Sequence, residues 1–224
     1  MGLRPSRLWS RAKARLLLTD RDLDPGSNHT ALGGFSWTGT TEIGVEPAAR
    51  SDRPRVLVAL SSSAFPGMLP IYRRIVAALA DLPIDATVTT GGVDFGGRLI
   101  GAPNVEIRGY VPHHELLPAV DLVIGHGGHS TTLKVLAHSV PLLVLPINPT
   151  ADQHLIGKAL QGAGLGRCLP RSATPAAIRE AATAILDDHR LHERAASTGR
   201  RLRSLPPGAE VAADQVLEVM NRGS

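Results

Sequence analysis

A single cysteine, Cys168, is all the thiol chemistry in the 224 residues. It cannot close an internal disulfide, and a lone thiol without a local partner reads as packing rather than as a nucleophile. Nothing in this usage argues for secretion. No run approaches the roughly 18 apolar residues that a membrane span needs. The basic start, Arg4, Arg7, Arg11, Lys13 and Arg15, precedes only Leu16-Leu17-Leu18, too short for a signal-peptide core of about 7–15 residues. The chain therefore reads as soluble, without a transmembrane segment, and its expected place is the cytoplasm. Also missing are the Gly-x-Ser-x-Gly elbow of serine hydrolases and the Gly-x-x-x-x-Gly-Lys-Ser/Thr loop of nucleotide triphosphatases. His113, His114, His126 and His129 lie near one another in sequence. No cysteine or paired carboxylate completes a zinc set of familiar spacing, so neither a metal nor an organic cofactor is expected. There is no internal repeat at solenoid spacing.

Charge of one sign is also scarce over most of the chain. The formal net charge is +4. Residues 1–55 hold nine Lys/Arg against six Asp/Glu, leaving fifteen against fourteen in the rest. The main body is thus nearly neutral. The basic start has only Trp9 to stack on a base, so nucleic acid is not an expected partner.

What is present is a core. Apolar residues make up 43% and mean hydropathy is +0.03, and the length suits one sizeable domain with an appendage. Residues 1–54 lack sustained periodicity and collect turn formers such as Asp24-Pro25-Gly26-Ser27-Asn28. They read as a linker or the remnant of a preceding domain. From Arg55 the pattern changes. Arg55-Val56-Leu57-Val58-Ala59-Leu60 is a short apolar run followed by a helical stretch through Ile71, Ile75, Val76 and Leu79. Further strands are expected at 86–90, 105–108, 122–125, 142–145 and 165–169, with helical windows near 113–119, 129–138 and 152–162. Strands that are apolar throughout, rather than alternating, suit a parallel sheet covered on both faces. The expected fold class is α/β, a Rossmann-like doubly wound parallel sheet within a domain over 55–224. Thr174-Pro175 marks a helix start, and a helical C-terminal tail follows.

In such sheets ligands sit outside the carboxyl ends of the strands, and three segments there are chemically unusual. His126-Gly127-Gly128-His129-Ser130-Thr131-Thr132 leaves an apolar strand and opens a helix. Glycines let backbone approach a ligand, and a helix N-terminus favours an anion such as a diphosphate. The same residues also make an ordinary tight turn with Ser130 or Thr131 as helix cap. Asp152 and Gln153, in a second strand-to-helix loop, offer acceptor and donor groups suited to the hydroxyls of a sugar. Asp152 equally fits as a first-turn helix acid. Tyr110-Val111-Pro112-His113 forms a proline-stiffened loop beside which a base fits.

The ordered set Tyr110-Val111-Pro112, His126-Gly127-Gly128, Ser130-Thr131-Thr132, Val140-Pro141, Pro146 and Asp152-Gln153 resembles the C-terminal signature of inverting nucleotide-sugar-dependent glycosyltransferases with the GT-B fold. The likeness is strongest to the bacterial macrolide and antibiotic type and spans residues 55–221. It implies hexosyl transfer from a UDP- or dTDP-sugar to an acceptor hydroxyl. In that reading His126, Gly127, Gly128, Ser130 and Thr131 hold the diphosphate, with Ser62 and Ser63 close to it. Asp152 and Gln153 hold the donor sugar, and Tyr110, Val111, His113 and position 134 border the base and ribose. Residues 16–44 resemble the tail of the family's N-terminal domain and its linker.

The departures are specific. Lys134 stands where the family commonly has a glutamate for ribose hydroxyls, His113 where a glutamine is usual, Ser139 where a glycine precedes Val-Pro, and His129 where a small residue or tryptophan is usual. The family's catalytic base lies in the N-terminal domain, so no catalytic residue is expected in this chain. A separate acceptor-binding subunit is the partner the resemblance implies, besides the nucleotide-sugar donor. The alternatives are a non-catalytic nucleotide-sugar-binding or regulatory subunit, or an inactive remnant.

Overall fold

The computed structural model describes residues 12–24, 26–27, 34–49 and 51–222; Arg4, Arg7, Trp9 and Arg11 of the basic start lie outside them. Two short strands, β1 (Leu16–Leu17) and β2 (Ser36–Trp37), pair in parallel as a small ribbon. The main sheet follows, with β3 (Arg55–Ala59), β4 (Asp85–Thr89), β5 (Val105–Arg108), β6 (Leu122–Gly125), β7 (Leu142–Val144) and β8 (Gly166–Cys168). Every pairing in it is parallel, in the order β5-β4-β3-β6-β7-β8. The chain builds outward from β3 to one edge, returns to the centre at β6 and builds to the other edge. This is the doubly wound arrangement expected from the apolar runs.

Side chains alternate across each strand, so one sequence feeds two cores. Val56, Val58 and Ile124 face one layer, formed by α1 (Met68–Leu79) and α5 (Pro175–Leu186). Leu57, Ala59 and Val123 face the other, formed by α3 (His129–Ala137), α4 (Gln153–Gly162) and α6 (His189–Ser204). The 113–119 window is only a helical turn, α2 (His113–Leu116), running into a 3-10 turn at Leu117–Ala119. The Ala/Leu/Arg-rich stretch after 174 is two helices. The break falls at Asp187-Asp188, where the Asp188 carboxylate accepts from Leu191 N–H at 3.1 Å and caps α6. A last helix, α7 (Gly208–Asn221), completes the tail.

The segment before β3 is not a loose appendage. Asp20, buried at 4% exposure, accepts both guanidinium nitrogens of Arg201 at 2.8 Å. Trp37 Nε1 donates to Asp24 at 2.7 Å, and Arg203 pairs with Glu46 at 2.7 Å. The two arginine pairs dock the described parts of this segment onto α6. Among the described residues no helix is long and apolar enough to cross a membrane.

Candidate functional site

The winding direction reverses between β3 and β6, where Ala59 pairs with Gly125. The connections leaving these strands diverge and open a crevice. A cavity of about 390 Å³ lies there, within the size range of ligand pockets. Its floor is the turn after β3, from Leu60 to Ser62, pressed against the turn after β4. Gly91 is needed in that turn: its φ is +63°, and a Cβ would stand 2.7 Å from Ser62 Cα. Tyr72, buried in α1, donates to the Thr89 carbonyl at 3.0 Å and fixes the end of β4 beneath the cavity. Burial pushes its phenol up to about 12.

The turn after β6 forms the main wall. Gly127 adopts φ +80°, and a Cβ there would stand 2.7 Å from the Gln153 carbonyl oxygen. Gly128 lies directly against the His126 ring, whose Nε2 any Cβ would strike. The two glycines thus answer different demands, one a left-handed dihedral and the other the seat of the imidazole. Gly128 is also the N-cap of α3, and it has no side chain with which to cap the helix. The alternative reading, with Ser130 or Thr131 as the cap, is therefore not the arrangement found. The first-turn amides of α3 face the cavity without a side-chain acceptor from the cap, together with the partial positive charge of the helix end.

The structure brings together Ser62, Tyr110, Val111, His113, His126, Gly128, Ser130 and Thr131 around this one cavity. Ser63, Gly127, Lys134, Asp152 and Gln153 do not line it. Half-buried His126 has a lowered pKa, caused first by desolvation; the Ala59 backbone and the Asp152 carboxylate oppose that shift. Its Nδ1 is buried and has no hydrogen-bond partner among the described residues. His113, also lowered by desolvation and then by the Lys134 charge, holds its Nε2 3.5 Å from Thr89 Oγ1. Both rings are thus favoured neutral, with one nitrogen a donor and the other an acceptor. Tyr110 is 71% exposed at the rim.

Asp152 is the N-cap of α4, yet its side chain makes no capping hydrogen bond. It borders a second, apolar cavity of about 330 Å³. His129 borders both cavities. Gln153 is buried at 5% exposure, and its Oε1 accepts from the Ile147 and Asn148 amides at 2.8 and 3.0 Å. It therefore shapes the 146–152 loop.

Sequence reasoning missed one charged group. Glu42 Oε2 pairs with Lys134 Nζ at 3.1 Å, and its Oε1 accepts from Ser130 Oγ. The position at which the resemblance expects a carboxylate carries an ammonium, and a carboxylate arrives beside it from a segment 92 residues earlier in the chain (134 − 42). No local signal marks Glu42; only the docked path of residues 34–49 puts it there.

The sequence matches the family described as erythromycin biosynthesis protein CIII-like, C-terminal domain, over residues 77–219. The elloramycin glycosyltransferase ElmGT of Streptomyces olivaceus is 35% identical over 181 residues, 76% of this chain and 43% of the relative. The chain thus spans less than half the length of that protein. Among solved structures, CalG4, the calicheamicin glycosyltransferase, superposes with a TM-score of 0.77 at 26% identity, covering 97% of this chain and 55% of the other. VinC, a glycosyltransferase solved in complex with dTDP, shares the fold with a TM-score of 0.64 at 22% identity, covering 79% and 45%.

Proposed function

The chain belongs to the family of erythromycin biosynthesis protein CIII-like C-terminal domains, and from that premise we propose that it is the donor-binding half of an inverting GT-B glycosyltransferase. The donor is a UDP- or dTDP-sugar, and the reaction is hexosyl transfer to an acceptor hydroxyl. The observation that carries this reading is the cavity at the β3–β6 reversal, walled by the uncapped N-terminus of α3 and by His126.

The diphosphate lies against the amides of Gly128, Ser130 and Thr131. The turn at Gly127 aims them, and Ser62 and Ser63 lie on the opposite side. The helix end contributes about 0.3–1 kcal/mol toward an anion, and up to about 2 when partly buried. His126 donates one hydrogen bond from its neutral ring. The base lies along Tyr110, Val111 and His113, with the Lys134–Glu42 pair on the ribose side. The sugar projects past His129 toward Asp152, and Gln153 holds the loop from which that carboxylate extends. VinC, of the same fold, was solved with dTDP, a nucleoside diphosphate of the kind proposed here.

Transfer needs an acceptor oxygen in line with the bond from the anomeric carbon to the diphosphate, and a base to take its proton. A placed base contributes about 10²–10⁴ in rate, and positioning of both substrates several kcal/mol. We assign that base and most of the acceptor contacts to an acceptor-binding half, on this polypeptide or a separate subunit, in the cytoplasm. Residues 12–222 alone then bind donor and hydrolyse it slowly.

Calorimetric titration with UDP, dTDP and their glucose conjugates tests the reading. Saturable binding is expected, weakened about tenfold or more in His126→Ala, the loss of a hydrogen bond to a charged group. A folded chain that binds none of the four overturns it.

A further inference from the structure

We infer that residues 40–48 form a regulatory strap on the donor site: docked along α3 they hold back the Ser130 hydroxyl, so that strap docking and nucleotide-sugar binding weaken each other. This rests on the donor-binding reading above and concerns how that same site is regulated.

The strap follows one face of α3. Glu42 accepts from Ser130 Oγ and pairs with Lys134 Nζ at 3.1 Å. Gly44 lies against the Ala137 carbonyl, which any Cβ at position 44 would strike. Positions 130, 134 and 137 are four and three apart, the spacing of neighbours on one helix face. Glu46 then pairs with Arg203 Nη2 at 2.7 Å, and Arg203 Nη1 donates to the same Ala137 carbonyl at 2.6 Å. Both ends of the strap are tied. The Thr40 carbonyl accepts from Gly208 N–H at 2.9 Å, and Ala48 N–H donates to the Pro118 carbonyl at 2.6 Å.

Competition arises at one atom. Ser130 lines the main cavity and has a single O–H to donate, which Glu42 takes. A diphosphate at the N-terminus of α3 needs that donor and meets the Glu42 carboxylate as a like charge. The same carboxylate neutralises Lys134, a cation that would otherwise attract phosphate. The docked strap therefore withholds a donor, masks a positive charge and adds a negative one. Gly44, Glu46 and Arg203 do not line the cavity, so they set the strength of docking without contacting the ligand. The groups involved are partly exposed, which limits the coupling to about two- to fivefold. Coupling of this kind is reciprocal: whatever lifts the strap tightens the donor, and the donor loosens the strap by the same factor.

The test is hydrogen exchange read by mass spectrometry across residues 40–48, for the chain alone and with saturating UDP-glucose, with calorimetric titration of UDP-glucose on the same samples. The Ala48 N–H and the Glu42 N–H, which donates to Thr40 Oγ1 at 2.9 Å, report docking. UDP-glucose is expected to speed their exchange about two- to fivefold. Gly44→Ala pushes the strap off the Ala137 carbonyl; it speeds the same exchange without ligand and binds UDP-glucose about two- to fivefold more tightly. Combined with Glu42→Ala it gains no more than either change alone, because both remove one contact. If Gly44→Ala does not fold, exchange and affinity in Glu42→Ala carry the test. Exchange that is slowed or unchanged by bound UDP-glucose overturns the inference while the donor reading stands. So does a freed strap with no gain in affinity, or a double variant whose gains add. A folded chain that binds no UDP-glucose removes the donor reading and the coupling with it.

Discussion

At the scale of single residues, two side chains carry consequences that their own chemistry dictates. Glu42, with 17% of its side chain exposed, pairs with Lys134 and accepts from Ser130, which lines the proposed diphosphate site. In the proposed complex it neutralises a nearby ammonium and occupies a hydroxyl that would otherwise face phosphate. Removing it leaves Lys134 and Ser130 free to meet the diphosphate and takes away a repelling charge. Glu42→Ala is therefore expected to bind UDP about two- to fivefold more tightly, with a larger gain at low salt, because partly exposed charges are worth only about 0.2–1 kcal/mol and are screened. Calorimetry at two ionic strengths checks this. Weaker binding would instead place the Glu42 carboxylate on the ribose hydroxyls. The second residue is Ser139, the one non-glycine with positive φ among the described residues, at +65°. It follows the C-terminus of α3, where a left-handed residue commonly ends a helix and glycine is favoured. The resemblance expects glycine there, and the dihedral supplies the reason. Ser139→Gly relieves about 1 kcal/mol of backbone strain and loses one hydrogen bond from Arg203 at 3.0 Å. Arg203 keeps its bonds to the Ala137 carbonyl and Glu46. The lost bond offsets about as much as the strain relief gains, so Tm by calorimetry is expected within about 2 °C of the parent's, and a fall of more than about 4 °C would mean that the Arg203 bond outweighs the strain.

At the scale of elements, the docked N-terminal segment depends on one buried ion pair. Arg201→Ala leaves Asp20 buried at 4% exposure without its two guanidinium donors. Uncompensated buried charge costs about 3–5 kcal/mol where burial is complete. Because Arg201 is itself partly exposed, water relieves part of that cost. The expected result is release of the segment: proteolysis within residues 12–49 accelerates in Arg201→Ala while residues 55–222 stay protected, as read by mass spectrometry of a limited digest. Equal protection would mean that the Glu42–Lys134 and Glu46–Arg203 pairs suffice. The same pair shows what the sequence conceals. The central strands of the main sheet were legible because runs such as 56–60 and 122–125 are apolar at consecutive positions, which only a doubly covered strand requires. The His126–Thr131 turn was legible because two glycines and two hydroxyls interrupt such a strand just before a helix. Asp20 and Arg201 are separated by 181 positions, and no periodicity links them, so the segment read as loose. The second cavity was hidden for the same reason, since it needs Leu17 and Leu160 in one wall. Gln153 looked like a sugar ligand by type, but whether its oxygen faces a ligand or the Ile147 amide depends on a loop path that spacing does not encode.

At the scale of the whole molecule, the histidines couple the site to stability. His126, His113 and His138 all have lowered pKa values, with desolvation the first cause in each. His138 is buried and its Nδ1 lies 2.8 Å from the Lys134 carbonyl. In the unfolded chain these rings titrate near about 6.5. As pH falls below that value the unfolded state takes up protons that the folded state resists, so unfolding is favoured. Their contribution to stability is thus fully present above the unfolded pKa and is lost as pH falls through the lower folded values. Tm should be level from roughly pH 8 to 7 and decline from roughly pH 6.5 downward, measured by scanning calorimetry at constant ionic strength. A nucleoside diphosphate beside His126 favours its charged form and raises its pKa in the complex. Saturating UDP-glucose, whose two phosphates are both ester-linked and keep their charge across this range, should therefore shift the decline to lower pH, and its affinity should rise as pH falls through the His126 titration. Linkage makes these two effects one free energy measured from two sides. His126→Ala should abolish the affinity gain and leave a shallower decline carried by His113 and His138. A UDP-glucose effect on Tm that is independent of pH would place the diphosphate away from His126.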